Sequence, residues 1–164
     1  MVRVSPYRVQ LRDVDGFRHL SHIRLLELLE IGRVELYAQL TGATTSIAEI
    51  DLIMGELQVR YHAPAKFGDD LVIATAISGV GRSSLAFDYE AWKPAGVTVA
   101  VARTTCVCFD YAAERPRPLA GVVQRLPDDA PLPHPKELGR LPAPGSIRAL
   151  ADAELASMPH TGGG

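Results

Sequence analysis

The sequence is poor in cysteine and tryptophan, has no excess of either charge, and lacks any long apolar run. Its two cysteines, Cys106 and Cys108, stand two apart. That spacing fits neither a CxxC pair nor a zinc site, and it permits no disulfide framework. The expectation is two reduced thiols on one face of a strand, in a cytoplasmic protein. No segment approaches the roughly 18 apolar residues of a membrane helix. Met1 to Tyr7 has no apolar signal-peptide core, so neither membrane insertion nor export is expected. Seventeen Lys and Arg against nineteen Asp and Glu give a net charge of −2. A basic, phosphate-tracking surface is thereby excluded as the main business, and no nucleic-acid partner is expected.

At 164 residues the chain has the length of one domain, for which roughly 150 is usual. With 47% apolar and 22% charged residues the composition is globular. Proline divides it: seven of the twelve prolines lie at Pro127 or beyond. The expected division is a folded body over 1–126 and a Pro-rich, largely flexible tail over 127–164. That tail holds a short helical stretch from Ile147 to Met158.

Hydrophobic spacing predicts the elements. Tyr7, Val9 and Leu11 alternate with Arg8, Gln10 and Arg12, a half-buried strand. Ser21 then opens a helix that runs to about Leu40 and closes at Gly42. Its apolar positions wrap most of the circumference, so it should be covered on several sides. Arg24, Glu27, Glu30 and Arg33 step by three and can pair. Four strands follow, separated by short turns at Gly68-Asp69-Asp70, Gly79 to Gly81 and Pro94-Ala95-Gly96. In the first of them Ile53, Leu57, Val59 and Tyr61 share one parity. Short connections make the sheet mostly antiparallel. One all-round apolar helix beside such a sheet predicts an α+β fold in which the sheet wraps the helix.

Chemistry concentrates between the first strand and the helix. Arg12, Asp13, Asp15, Arg18, His19 and His22 fall within eleven residues, just before a helix N-terminus. That end offers unpaired N–H groups and the positive end of a dipole. Such groups polarise a carbonyl and hold a developing oxyanion. A neighbouring carboxylate can attack an acyl carbon or activate a water. The combination suits acyl transfer. From the residues alone, Asp13 and Asp15 serve equally as turn residues bonding local backbone, and the two histidines as surface or interface residues. No further carboxylate or imidazole at a suitable spacing completes a metal site.

Four segments together resemble the 4-hydroxybenzoyl-CoA thioesterase-like group of hot-dog proteins. Arg12 to His22 followed by Leu29-Glu30-Ile31-Gly32-Arg33-Val34-Glu35 is similar to the family's D-x-D-x-x-G-H-V-N-N and helical E-x-A-R. Tyr61 to Leu71 is similar to Y-x-x-P-x-x-x-G-D-x-L. Ala102 to Asp110 looks like the family's last long strand, and Arg115-Pro116-Arg117-Pro118-Leu119 like its ending. The resemblance spans about residues 7–126. It implies hydrolysis of an acyl thioester carried on coenzyme A or an acyl carrier protein, and no cofactor is expected. It assigns the catalytic carboxylate to Asp15, either as nucleophile or as general base. The carbonyl-holding amide falls near His22, whose imidazole lies at the offset some relatives use in catalysis. Asp13 is taken as a loop brace. Three departures stand out: Arg18 replaces the motif glycine, and Ser21 and His22 replace the two asparagines.

Around this pair, Arg18, His19 and Ser21 are the expected substrate-binding residues. Lys66, Arg82, Ser83 and Ser84 are candidates for the carrier's phosphates; each serves equally as a solvated turn residue. The resemblance further implies a homodimer joined edge to edge with the site at the interface, or a homotetramer built from two such dimers. Pairing also protects an open sheet edge. Two rival readings remain: a hot-dog hydratase or dehydratase on acyl thioesters, and a non-catalytic acyl-binding or assembly protein.

Overall fold

The computed structural model describes residues 1–42, 50–119 and 131–157. Strand β1 (Val2–Arg8) leads through a one-turn 3-10 helix (Leu11–Asp13) to helix α1 (His22–Thr41). Strands β2 (Leu52–Tyr61), β3 (Asp70–Val80), β4 (Ser84–Trp92) and β5 (Thr98–Asp110) follow, with a two-residue strand β6 (Arg115–Pro116). All pairings are antiparallel, in the order β1-β3-β4-β5-β2, with β6 on β5. The result is the expected α+β arrangement, one long helix against a curved sheet.

The main core lies between α1 and the concave sheet face. Leu25, Leu29, Leu36 and Leu40 meet Leu71, Ile73, Phe87 and Tyr89 there. Cys106 and Cys108 are free and buried in the same layer. Gly32 lets α1 approach β3: a Cβ there would lie 2.5 Å from Thr75 Oγ1. Gly42 closes the helix at φ 67°, as its sequence position predicts. The helix pairs also form, Arg24 Nη1 to Glu27 Oε2 at 2.6 Å and Arg33 Nη2 to Glu30 Oε1 at 2.9 Å. Coverage of α1 is incomplete, since Ile23 and Ile31 are exposed.

Three details depart from the periodicity. β1 lies earlier than expected and stops at Arg8, so Leu11 is exposed rather than on a buried face. The cause is Asp13, whose Oδ2 accepts from the Gln10 N–H at 2.7 Å and turns the chain out of the strand. On β2 the register shifts between Met54 and Glu56. Gly55 is the extra residue of a β-bulge, and a bulge reverses parity. Met54 therefore pairs with Cys106 and Leu57 with Thr104, on one face, while Ile53 faces the other way opposite Val107.

The third concerns residues 131–157, which lie against the outer sheet face. A 3-10 turn (Pro135–Glu137) and helix α2 (Ser146–Ser157) lead the chain across it. Ile147 and Ala151 of α2 pack on Ala74, Ala76 and Trp92, with Val2, Val4 and Val72 alongside. Proline content signalled an extended chain, but buried charges anchor it. Asp88 accepts from Arg103 Nε and Nη2 at 2.6 and 2.7 Å, and Arg103 Nη1 donates to the carbonyls of Gly139 and Arg140. The expected helix at Ile147–Met158 corresponds to α2; Met158 lies outside the described residues.

Candidate active site

The segment between β1 and α1 folds as a small hairpin closed by a bridge between Val14 and Leu20. The Asp15 N–H donates to the His19 carbonyl, and the Arg18 N–H to the Asp15 carbonyl, both at 2.9 Å. Phe17 N–H donates to Asp15 Oδ1 at 2.9 Å, a turn in which an aspartate bonds backbone two residues on. Asp15 Oδ2 has no partner among the described residues. Arg18 takes φ 66°. It thus adopts the left-handed backbone that the motif's glycine would adopt freely, and its side chain is exposed.

Asp13 is the opposite of Asp15. It is buried and accepts from the Tyr7 hydroxyl at 2.5 Å, the Gln10 amide and Arg24 Nε at 2.9 Å. Burial alone would raise its carboxyl, but the Tyr7 and Gln10 hydrogen bonds and the Arg24 guanidinium outweigh that and hold it below the usual carboxylate range. Its carbonyl also accepts from the Ser21 N–H at 2.8 Å. It ties β1, the hairpin and the first turn of α1 together.

The hairpin delivers the chain directly into α1. Ser21 occupies the cap position, but its hydroxyl makes no capping bond. The first helical bond runs from the Leu25 N–H to the Ser21 carbonyl. The N–H groups of His22, Ile23 and Arg24 have no acceptor among the described residues. They form a cluster of free donors of the kind that can hold a carbonyl oxygen or an oxyanion.

Beside this end is a cavity of about 310 Å³. Buried Leu25, Ala65 and Val99 form its apolar floor, and His19, Tyr61 and His62 stand around it. A bond from the Leu20 N–H to the Ala65 carbonyl (2.7 Å) holds its two walls together. Partial desolvation pushes the phenol of the half-exposed Tyr61 above its ordinary value. Tyr61 and His62 escaped the sequence reading as site residues, although both fall in the segment from Tyr61 to Leu71 that resembles the family's Y-x-x-P motif.

The other candidates divide by place. His19 lines the cavity, whereas Asp15, in the hairpin, and His22, at the start of α1, are not among its lining residues in a single chain. Lys66 is exposed in the loop next to Ala65, with its N–H on Asp69 Oδ2 at 2.9 Å. Arg82, Ser83 and Ser84 occupy the β3–β4 turn. β3 begins beside Asp69 and runs eleven residues, about 35 Å, so that turn is at the far end of the sheet. A role for it at this site would require another subunit's turn. Among the described residues no three His, Cys, Asp or Glu side chains converge as a metal site.

Known proteins share this framework. The acyl-CoA thioester hydrolase YbgC of Escherichia coli O6:H1 is 25% identical over 116 residues, covering 70% of this chain and 87% of its own. A thioesterase from Thermus thermophilus, solved with coenzyme A and zinc, superposes with a TM-score of 0.67 at 24% identity over 74% of this chain and 89% of its own. A 1,4-dihydroxy-2-naphthoyl-CoA thioesterase from Synechocystis gives 0.66 at 21% identity over 76% and 93%. The model of the thioesterase-like superfamily matches residues 9–138. That match takes in the hairpin, α1 and every strand of the sheet except β1, so the chain belongs to the thioesterase-like superfamily and has its hot-dog fold.

Proposed function

We propose that this chain hydrolyses an acyl thioester carried on a phosphopantetheine arm, with Asp15 as the catalytic carboxylate. One observation carries the reading: a carboxylate with a free oxygen stands in a hairpin that ends at three unsatisfied helix amides. The thioester carbonyl accepts from the first-turn amides, the His22 N–H among them. Asp15 then either displaces the thiolate to form an anhydride, which water cleaves to free acid and carboxylate, or takes a proton from an attacking water. In the second route hydroxide adds to the carbonyl and the amides hold the oxyanion. The C–S bond breaks, and the thiolate leaves with the proton that Asp15 took up, giving free acid and thiol. The acyl group occupies the cavity floored by Leu25, Ala65 and Val99. The His22 imidazole acts from the first turn of α1, with Arg18, His19, Ser21 and Lys66 as the binding residues around it.

The working unit is a homo-oligomer of at least two chains. Support comes from β2, an edge strand with exposed Met54, Leu57 and Tyr61. Free, buried Cys106 and Cys108 suit the reducing cytoplasm.

The test is thiol release across aromatic, short-chain and long-chain acyl-CoAs. Asp15→Asn should lower turnover by about 10² to 10⁴, the usual contribution of a proton-transferring group, with unfolding unchanged. Full activity in that variant removes Asp15 from its role. Hydration of an enoyl thioester without thiol release would favour the hydratase reading, and tight acyl-CoA binding without turnover the non-catalytic one.

A further inference from the structure

We infer that the surface around the hairpin docks an acidic carrier protein that presents the thioester, an inference that rests on the hydrolase reading. The three most exposed large apolar side chains among the described residues are Phe17 at 84%, Leu11 at 73% and Phe67 at 63%. All three sit in two loops at one end of the molecule. Those loops are tied to each other: Gly68 N–H donates to the Val9 carbonyl at 3.0 Å, and Val9 N–H to the Asp69 carbonyl at 2.9 Å. With the Leu20–Ala65 bond they form one preorganised rim beside the helix end. Solvent-facing apolar groups on a braced rim mark an interaction surface.

The charge of this rim is one-sided although the chain as a whole is slightly acidic. Arg12, Arg18 and Lys66 are exposed and make no salt bridge among the described residues. The acidic neighbours are already engaged. Asp69 Oδ2 lies 2.7 Å from Lys93 Nζ, and Asp70 Oδ1 lies 3.2 Å from Arg8 Nη1. Among the described residues of the two loops, Asp15 is the one acid outside an ion pair. Arg18 is the telling residue. It holds a charge at a left-handed backbone position that strains an L side chain and suits glycine. Aromatic and arginine side chains together characterise protein interfaces.

A second copy of this chain is a poorer occupant. Leu11 lies three residues after β1 and Phe67 three before β3, whereas the free apolar edge is β2, at the other side of the sheet. A nucleotide would use the cations but not three apolar groups spread over two loops. An acidic protein uses both.

The experiment compares one acyl group on coenzyme A and on a phosphopantetheinylated acidic carrier protein. The wild-type protein should cleave the carrier-protein thioester with the higher kcat/KM, and that advantage should fall as salt rises. The triple variant Leu11→Ser, Arg12→Glu, Phe67→Ser should lose about tenfold or more on the carrier protein while changing under about twofold on acyl-CoA. Equal loss on both thioesters overturns the inference, as does a changed subunit number in the variant. So does wild-type binding to phosphatidylglycerol vesicles with no preference for the carrier protein. If neither thioester is cleaved, the hydrolase reading fails instead. Calorimetric binding of the carrier protein, present in the wild type and lost in the variant, then still decides the surface.

Discussion

Gly32 is the tightest point between helix and sheet. Helix propensity favours Gly32→Ala by about 1 kcal/mol. The added Cβ would stand 2.5 Å from Thr75 Oγ1, a buried hydroxyl without a partner on a stiff side chain. Overpacking of a core typically costs ~1–3 kcal/mol, so the steric effect wins and Gly32→Ala should be less stable in urea unfolding. Thr75→Ala removes the obstructing hydroxyl and should restore the double variant to at least wild-type stability. Failure of that rescue would locate the strain elsewhere. Other single residues differ in how visible they were. Asp13 and Asp15 have the same side chain two positions apart, and the sequence alone left both open as turn residues. What separates them is distant: Tyr7 and Arg24 reach Asp13, while among the described residues the Phe17 N–H alone bonds the Asp15 carboxylate. The family motif, rather than spacing, distinguished the two.

Among the elements, α1 was legible nearly to the residue, because its cap, apolar positions and closing glycine are all local signals. α2 was only half legible. Its sequence carries the helical pattern but no capping side chain, and the cap comes from the sheet. Fully buried Glu90 on β4 accepts from the Gly145 and Arg148 N–H groups at 2.8 and 3.1 Å and from Arg148 Nη2 at 3.0 Å. It thus supplies both a hydrogen-bonding cap and a charge matched to the helix dipole. Burial would raise this carboxyl; the bonds from Arg148, Gly145 and Thr98 outweigh that and hold it below its ordinary value. The sign follows directly. A carboxyl lowered by folding adds stability above its unfolded value, about 4.3, and that stability drains away as pH falls through the folded value. Docking of α2 should therefore loosen in acid. The chain's sole tryptophan reports it, since Trp92 lies beneath α2 with the Arg148 guanidinium 5.2 Å from its ring. Acid titration should shift Trp92 emission to the red below about pH 4. Glu90→Gln should weaken docking at neutral pH by on the order of 3 kcal/mol and remove this acid step. An unchanged acid transition in that variant would assign the effect to other carboxylates.

At the scale of the whole molecule, topology followed from the order of elements and the short turns between them. The exposed apolar strip on β2 did not follow, because the bulge at Gly55 breaks the alternation from which a face is read. Once the parity change is included, Met54 and Leu57 share the concave face of an edge strand whose outer backbone groups have no pairing partner in the sheet. Such an edge invites aggregation unless another strand covers it. The segment 131–157 already covers the outer face over β1, β3 and β4, so it offers β2 no shelter. A second copy meeting this edge would bury the strip and bring its own residues near Tyr61, which borders the cavity. Leu57→Glu sets a charge in the middle of that strip without touching the cavity's lining. The variant should sediment as a monomer where the wild type sediments as a dimer or larger. Its thioesterase activity should fall by an order of magnitude or more, in step with the lost pairing rather than with any change in chain stability. A monomeric variant that retains full activity would mean that one chain holds the complete site. A variant that remains dimeric would move the subunit contact away from β2.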